Sequence, residues 1–186
     1  MFGLGAQPRR VGMRRNYYRA SLYLRIVSVH VQREVIGSGD NDFVEHAWQL
    51  KERIRVEEGV LRQRKNFFTS AYTRSTVYLY VDRGEEKLVG FAAVRRDGYI
   101  LFLAVDPMYR GQGFGKRLVA NVAEDHATVT CHARTTNERA LNFYETLGFE
   151  IKRRIDNYYE DGGNAYYLQL GEQESIRERL ASRLRR

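Results

Sequence analysis

Three runs rich in apolar and β-branched residues follow one another at 76–81, 88–94 and 99–105, separated only by Asp82-Arg83-Gly84-Glu85-Glu86 and Arg95-Arg96-Asp97-Gly98. Connections this short cannot hold a crossover helix, so successive runs must pair as an antiparallel meander. Other elements are placed around that centre. Residues 26–36 read as a first strand, and the turn-like Gly37-Ser38-Gly39-Asp40-Asn41 leads to Asp42 as a helix cap. Phe43, Ala47, Leu50 and Ile54 then fall on one helical face, with Gly59 as the stop. A second helix is expected over 61–73, containing Phe67, Phe68 and Tyr72. Downstream, the pattern gives a helix at 114–126, a strand at 128–133, a helix at 137–147 and strands at 149–156 and 164–170. About seven strands mixed with about four helices make one α+β, or mixed α/β, domain.

The length of 186 residues suits a single domain. The longest apolar runs, 89–94 and 99–105, fall far short of the roughly 20 residues that cross a bilayer, so no membrane span is expected. Cys131 is the single cysteine, which excludes an internal disulfide. With no His, Cys, Asp or Glu cluster at ligand spacing, no metal is implied. A reducing, cytoplasmic location is the expectation.

The formal charge of +8 suggests nucleic acid until it is located. Residues 1–25 hold six arginines and no acid, and residues 172–186 hold five arginines against three glutamates. The intervening 26–171 is balanced. We therefore read 1–25 as a basic flexible arm suited to ribosome or RNA contact, 26–171 as the domain, and 172–186 as a basic helical tail. The arm equally fits a transit peptide, or a leader preceding a start at Met13.

The most informative segment joins the third run of the meander to a helix: Val105-Asp106-Pro107-Met108-Tyr109-Arg110-Gly111-Gln112-Gly113-Phe114-Gly115-Lys116. Glycines at a strand-to-helix junction let the backbone approach a phosphate, while the first helical N–H groups and the positive dipole end point at it. The bland alternative is a turn kept tight only for packing. A nucleotide P-loop is excluded because Gly115-Lys116 is followed by Arg117, and a dinucleotide fingerprint because the turn follows an antiparallel meander. Arg-x-x-Gly-x-Gly, met by Arg110, Gly113 and Gly115, resembles the acetyl-coenzyme A loop of the GNAT acetyltransferase superfamily. The element order from about residue 26 to 170 resembles that fold, a mostly antiparallel central sheet flanked by helices.

A second block, Asn137-x-x-Ala140-x-x-x-Tyr144-x-x-x-Gly148-Phe149, resembles the other GNAT signature. The resemblance implies that Asn137 contacts the pantetheine arm and that Tyr144 protonates the departing thiolate; read alone, Tyr144 is a core aromatic. It also implies that Leu103, Val105 and residues Arg110, Gly111, Gln112, Gly113, Phe114, Gly115 and Lys116 hold acetyl-coenzyme A, and that His132 is the catalytic base of an N-terminal acetyltransferase. A phenol near pKa 10 giving its proton to a thiolate near 8.5 is uphill by about 2 kcal/mol, so Tyr144 needs help from its site or acts mainly as a hydrogen-bond donor. An imidazole near 6.5 suits a peptide α-amine near 8, whereas a lysine near 10.4 needs more than three units of help. Cys131 and His132 are strand neighbours facing opposite ways and cannot form a nucleophilic dyad.

Asn157-Tyr158-Tyr159-Glu160-Asp161-Gly162-Gly163-Asn164-Ala165-Tyr166 resembles the segment that N-terminal acetyltransferases close over a peptide, with Gly163 and Asn164 where the commoner form has two acids. Tyr158 and Tyr159 are therefore candidate substrate residues, with Tyr99 a weaker one; a hairpin with exposed aromatics is the plain alternative. Phe67 and Phe68 are either a further groove wall or core. The reading is an acetyl-coenzyme A dependent N-acetyltransferase acting on a protein N-terminus. The rivals are a small-molecule GNAT enzyme and a ribosome- or nucleic-acid-binding protein that uses the fold as a scaffold.

Overall fold

The computed structural model describes residues 30–171, so the expected arm at 1–25, the tail at 172–186 and the start of the first strand lie outside the described residues. The meander forms where expected: β1 (Val31–Ile36), β2 (Thr76–Asp82), β3 (Lys87–Val94) and β4 (Tyr99–Val105) pair in sequence order, each antiparallel to the last. The turn into β4 depends on Gly98, which sits at φ +79° with the Thr128 carbonyl 2.2 Å from where a Cβ would stand. Beyond β4 come β5 (Val129–Arg134), then the hairpin of β6 (Phe149–Ile155) and β7 (Ala165–Leu170), with β7 between β5 and β6. The result is a seven-stranded, mostly antiparallel sheet with four α-helices, a mixed α/β fold.

Residues alternate between two cores on opposite faces of the sheet. On one face α1 (Val44–Glu58) and α2 (Lys65–Thr73) cover Val77, Leu79, Phe91, Ala93 and Phe102. Phe68 is fully buried there, its ring centroid 4.8 Å from that of Phe102 and 6.0 Å from that of Phe91. Phe68 is thus core, while Phe67 is 56% exposed and lines the cavity described below. On the other face α3 (Phe114–Asp125) and α4 (Glu138–Leu147) cover Tyr78, Ala92, Ile100, Cys131 and Leu168.

Two local expectations are corrected. Asp42 does not cap α1: the capping position is Phe43, in the left-handed region at φ 60° with no side-chain cap, because its ring is drawn into the core beside α1. The second helix begins at Lys65 rather than 61. Leu61 is left-handed at φ 53°, and the buried Lys51 ammonium takes the Gln63 carbonyl as an acceptor, so 61–64 is held as a loop.

The feature that positions the site is a seam. β4 and β5 are the parallel neighbours in the sheet, and they pair only at Tyr99 with Thr130 and at Ile100 with Cys131. There β4 also shifts register against β3, leaving Leu101 as the extra residue. Past that point the two strands diverge, and a gap opens through the sheet at their carboxyl ends, the place where open sheets with parallel strands offer a crevice. No helix among the described residues is long and apolar enough to cross a membrane.

Candidate functional site

A cavity of about 1160 Å³ fills the seam and reaches both faces of the sheet. At one end, Asp106 caps a short 3₁₀ turn (Pro107–Tyr109) by accepting from the Met108 N–H at 3.0 Å, and pairs with Arg53 of α1 at 2.7 Å. The chain then turns through Gly111 and Gly113, at φ 76° and 85°, into α3. A Cβ at either would meet nothing within 4 Å, so these glycines serve the backbone path and leave open space beside it. Gly115 has another reason: its Cβ would stand 3.1 Å from the Phe143 ring of α4. The first amides of α3 consequently open on the cavity, with Lys116 also on its wall. Arg110 donates from Nε to the Val105 carbonyl at 3.0 Å and pairs through Nη1 with Glu58, the last residue of α1.

Of the other residues expected at this end, Gln112, Leu103 and Val105 line the cavity. The Phe114 side chain is largely turned into the protein, against Tyr80 and Tyr109, so its backbone N–H is what it can offer. Asn137 spends its side-chain oxygen capping α4, accepting from the Ala140 N–H at 3.1 Å, and presents its amide to the cavity. Tyr144 is 7% exposed and packs on Phe149. Burial, with Cys131 close by, holds its phenol well above the usual value.

Across the gap lies the opposite face of β5. Cys131 is 1% exposed in the α3/α4 core, its thiol pushed up to about 12 by burial, while His132 points the other way. His132 Nδ1 lies 2.7 Å from the Tyr99 hydroxyl and 3.3 Å from that of Tyr158, whose ring stacks on the imidazole at 4.3 Å and 17°. Nε2 is buried with no hydrogen-bond partner among the described residues. A buried orphan N–H is rarer than an orphan lone pair, so we place the proton on Nδ1, donating to Tyr99, and the lone pair on Nε2. Burial, then the charge of Arg153, lowers the His132 pKa and keeps the ring neutral at pH 7. Tyr99 does not line the cavity; its hydroxyl holds His132.

The mouth of the cavity on the His132 side joins two loops. Asp161, in the β6–β7 loop, pairs with Arg62 of the α1–α2 loop at 2.7 Å and with Arg134 of β5 at 3.0 Å, and its carboxyl is held below the usual range chiefly by the Arg134 hydrogen bond. The Arg134 guanidinium lies 3.9 Å from the centre of the Tyr159 ring. Tyr159 is pushed up to about 12 by burial. Sequence reasoning missed Glu58, Arg62, Arg134 and Asp161 as site residues, since their pairings span up to 99 residues; the Asp106-Pro107 turn was the one local signal for Asp106 as a loop anchor. Among the described residues no group of three His, Cys, Asp or Glu is placed to hold a metal.

Residues 73–151 match the profile of the acetyltransferase (GNAT) domain. The chain is 42% identical over 80 residues to N-alpha-acetyltransferase 30 of Xenopus laevis, covering 40% of this chain and 29% of that protein. It therefore spans less than a third of the vertebrate relatives it matches. Among solved structures, the ribosomal-protein-S18-alanine N-acetyltransferase from Escherichia coli shares the fold, with a TM-score of 0.60 at 24% identity, over 75% of this chain and 93% of that one. Arabidopsis thaliana Naa50 in complex with the bisubstrate analogue CoA-Ac-MVNAL gives 0.55 at 26% identity, over 76% of this chain and 98% of that one.

Proposed function

We propose that the chain transfers an acetyl group from acetyl-coenzyme A to the N-terminal α-amine of a protein, by direct attack in a ternary complex, a reading supported by the match of residues 73–151 to the acetyltransferase (GNAT) domain. The observation that carries this reading is the single cavity that runs from the glycine turn on one face of the sheet, through the β4–β5 seam, to His132 on the other. A donor with a pyrophosphate at one end and a thioester at the other suits that shape, and the open space beside Gly111 and Gly113 suits the phosphates. The relatives' names, and a bisubstrate analogue joining coenzyme A to a peptide in the Arabidopsis structure, support the same class of acceptor.

The donor substrate supplies an activated carbonyl and a thiolate leaving group. The loop amides from Gly111 to Gly115, with Arg110 and Lys116, hold its phosphates, and the Asn137 amide and the Leu103 and Val105 backbone line its arm. The edge of β4 facing the gap has no paired strand beyond Ile100, so amides there can donate to the oxygen that gains charge. His132 accepts the amine proton at Nε2, directly or through one water, once a movement of the side chains around it uncovers that buried nitrogen, while Tyr99 holds Nδ1. Tyr158 and Tyr159 wall the acceptor side. Tyr144 stays protonated, because burial has raised its pKa and made proton release still more uphill; it steadies the departing sulfur by donating a hydrogen bond.

Such an enzyme would work in the cytoplasm, where acetyl-coenzyme A meets new protein N-termini, and the basic arm at 1–25 would bring it to the ribosome. Purified protein with acetyl-coenzyme A and a panel of N-terminal peptides should acetylate α-amines, read by mass spectrometry. Transfer to a polyamine or an antibiotic with none to any peptide would point to the small-molecule reading. Deleting residues 1–25 should reduce RNA binding while turnover persists.

A further inference from the structure

We propose that Arg134 selects the acceptor, favouring peptides with a carboxylate side chain at the second or third residue; this deepens, and rests on, the acetyltransferase reading above. Arg134 and His132 stand two residues apart on β5 and share its acceptor-side face, with Cys131 and Ala133 buried on the other. That step is about 6.7 Å, the length two residues of an extended peptide cover. An amine held at His132 therefore brings its second or third side chain level with the guanidinium.

The guanidinium is prepared for that role. Its side chain is only 18% exposed, one flat face rests on Tyr159, and Nη1 donates to Asp161. That fixes its plane while a fork of five donors keeps the capacity to take a second carboxylate. The room it occupies exists because residue 163 is glycine: a Cβ there would stand 2.3 Å from Nη1. An acid at 163, as in the commoner form of this segment, would make the Arg134 guanidinium shift from its place beside Tyr159 and Asp161. Gly163 and Asn164 also remove the two anions that the commoner form carries in this segment. The charged groups lining this end of the cavity are Arg62, Arg64 and Arg134 against Glu160 and Asp161, so cations exceed anions even with the Asp161 pairs formed.

The test is kcat/KM for peptides that differ only in carrying Glu, Gln or Lys at the second residue, and a matching series at the third. In one of the two series Glu should exceed Gln by about tenfold, a charge-assisted hydrogen bond in a partly exposed site, with Lys poorest and the spread shrinking as salt rises. Arg134→Gln should abolish the spread, and Arg134→Glu should invert it in favour of Lys. Should Arg134→Glu fail to fold beside Asp161, Arg134→Gln decides alone. Wild-type protein that treats the three peptides alike, or an unchanged ranking in Arg134→Gln, would overturn the proposal. Absence of transfer to every α-amine would instead overturn the acetyltransferase reading on which it stands.

Discussion

Replacing Tyr99 by phenylalanine keeps the ring and removes one oxygen, the atom 2.7 Å from His132 Nδ1. With the proton on Nδ1, the change removes the nearer acceptor of a part-buried N–H and leaves only the Tyr158 hydroxyl, at 3.3 Å. Such a loss costs about 1–3 kcal/mol, and because His132 is not fully buried the lower half of that range applies. That corresponds to about tenfold in kcat/KM. A destabilisation of about 1 kcal/mol would move Tm by about 2–4 °C. The direction of the pH shift is more diagnostic than its size. With His132 as the proposed base, turnover needs it neutral, so the rate should fall as pH drops through its pKa, which burial and Arg153 already place below the usual 6.5. Tyr99 accepting from Nδ1–H favours the imidazolium; its removal should lower the pKa further and carry the acid limb of kcat/KM downward. Coenzyme A release onto a thiol reagent, followed across pH for both proteins, measures this. An acid limb that moves up instead would show that Tyr99 donates to Nδ1, and would refute the assignment of Nε2 as the base. An unchanged limb and rate would remove Tyr99 from the machinery.

Tyr144→Phe should lower kcat about tenfold or more while leaving the KM for acetyl-coenzyme A near its wild-type value, because the hydroxyl acts on charge that develops only at the sulfur; a raised KM at full kcat would assign it to ground-state binding. Arg110→Gln should weaken coenzyme A binding about tenfold by calorimetry, through loss of a phosphate contact and of the Val105 tether; equal affinity would move the phosphates elsewhere. Gly98→Ala should destabilise the fold by about 2 kcal/mol or more, from the positive φ and the Thr128 carbonyl together, read as a lower denaturation midpoint. The stability His132 contributes by staying neutral is full above its unfolded pKa near 6.5 and is lost as pH falls towards the lower folded value; His132→Asn should flatten that part of the stability profile.

The meander and the two signature helices were legible because local chemistry agrees with packing there. The turns around β3 are short and polar, Asn137 is a capping residue used as one, and Gly148 stops α4 at φ 91°. Asp42 misled because its cap would be worth about 1 kcal/mol, less than burying the Phe43 ring beside α1. The loop at 61–64 misled because Lys51, a residue that looks like helix surface, is fully buried and anchors it. At the site, the glycine turn stands out by its spacing and His132 only through the family resemblance, and neither tells that two of the three glycines serve φ and the third serves the Phe143 contact. Tyr99 reads from the sequence as a weaker substrate candidate; the pairing of β4 on β5, Tyr99 with Thr130 and Ile100 with Cys131, joins residues about 30 positions apart and turns its hydroxyl onto His132 instead. The Arg62–Asp161–Arg134 pairing had no local signal at all, since each member is an ordinary surface charge until the loops meet.

The narrow pairing of β4 with β5 has a consequence for traffic. Because the strands part after two residue pairs, the cavity is lined from both faces of the sheet. In the proposed reaction the long donor and the incoming chain would therefore approach from opposite sides and meet only at their reacting ends. Neither lies in the other's way out. On that proposal an acceptor could be of any length without crowding the coenzyme, and the spent carrier could depart with the acetylated chain still in place.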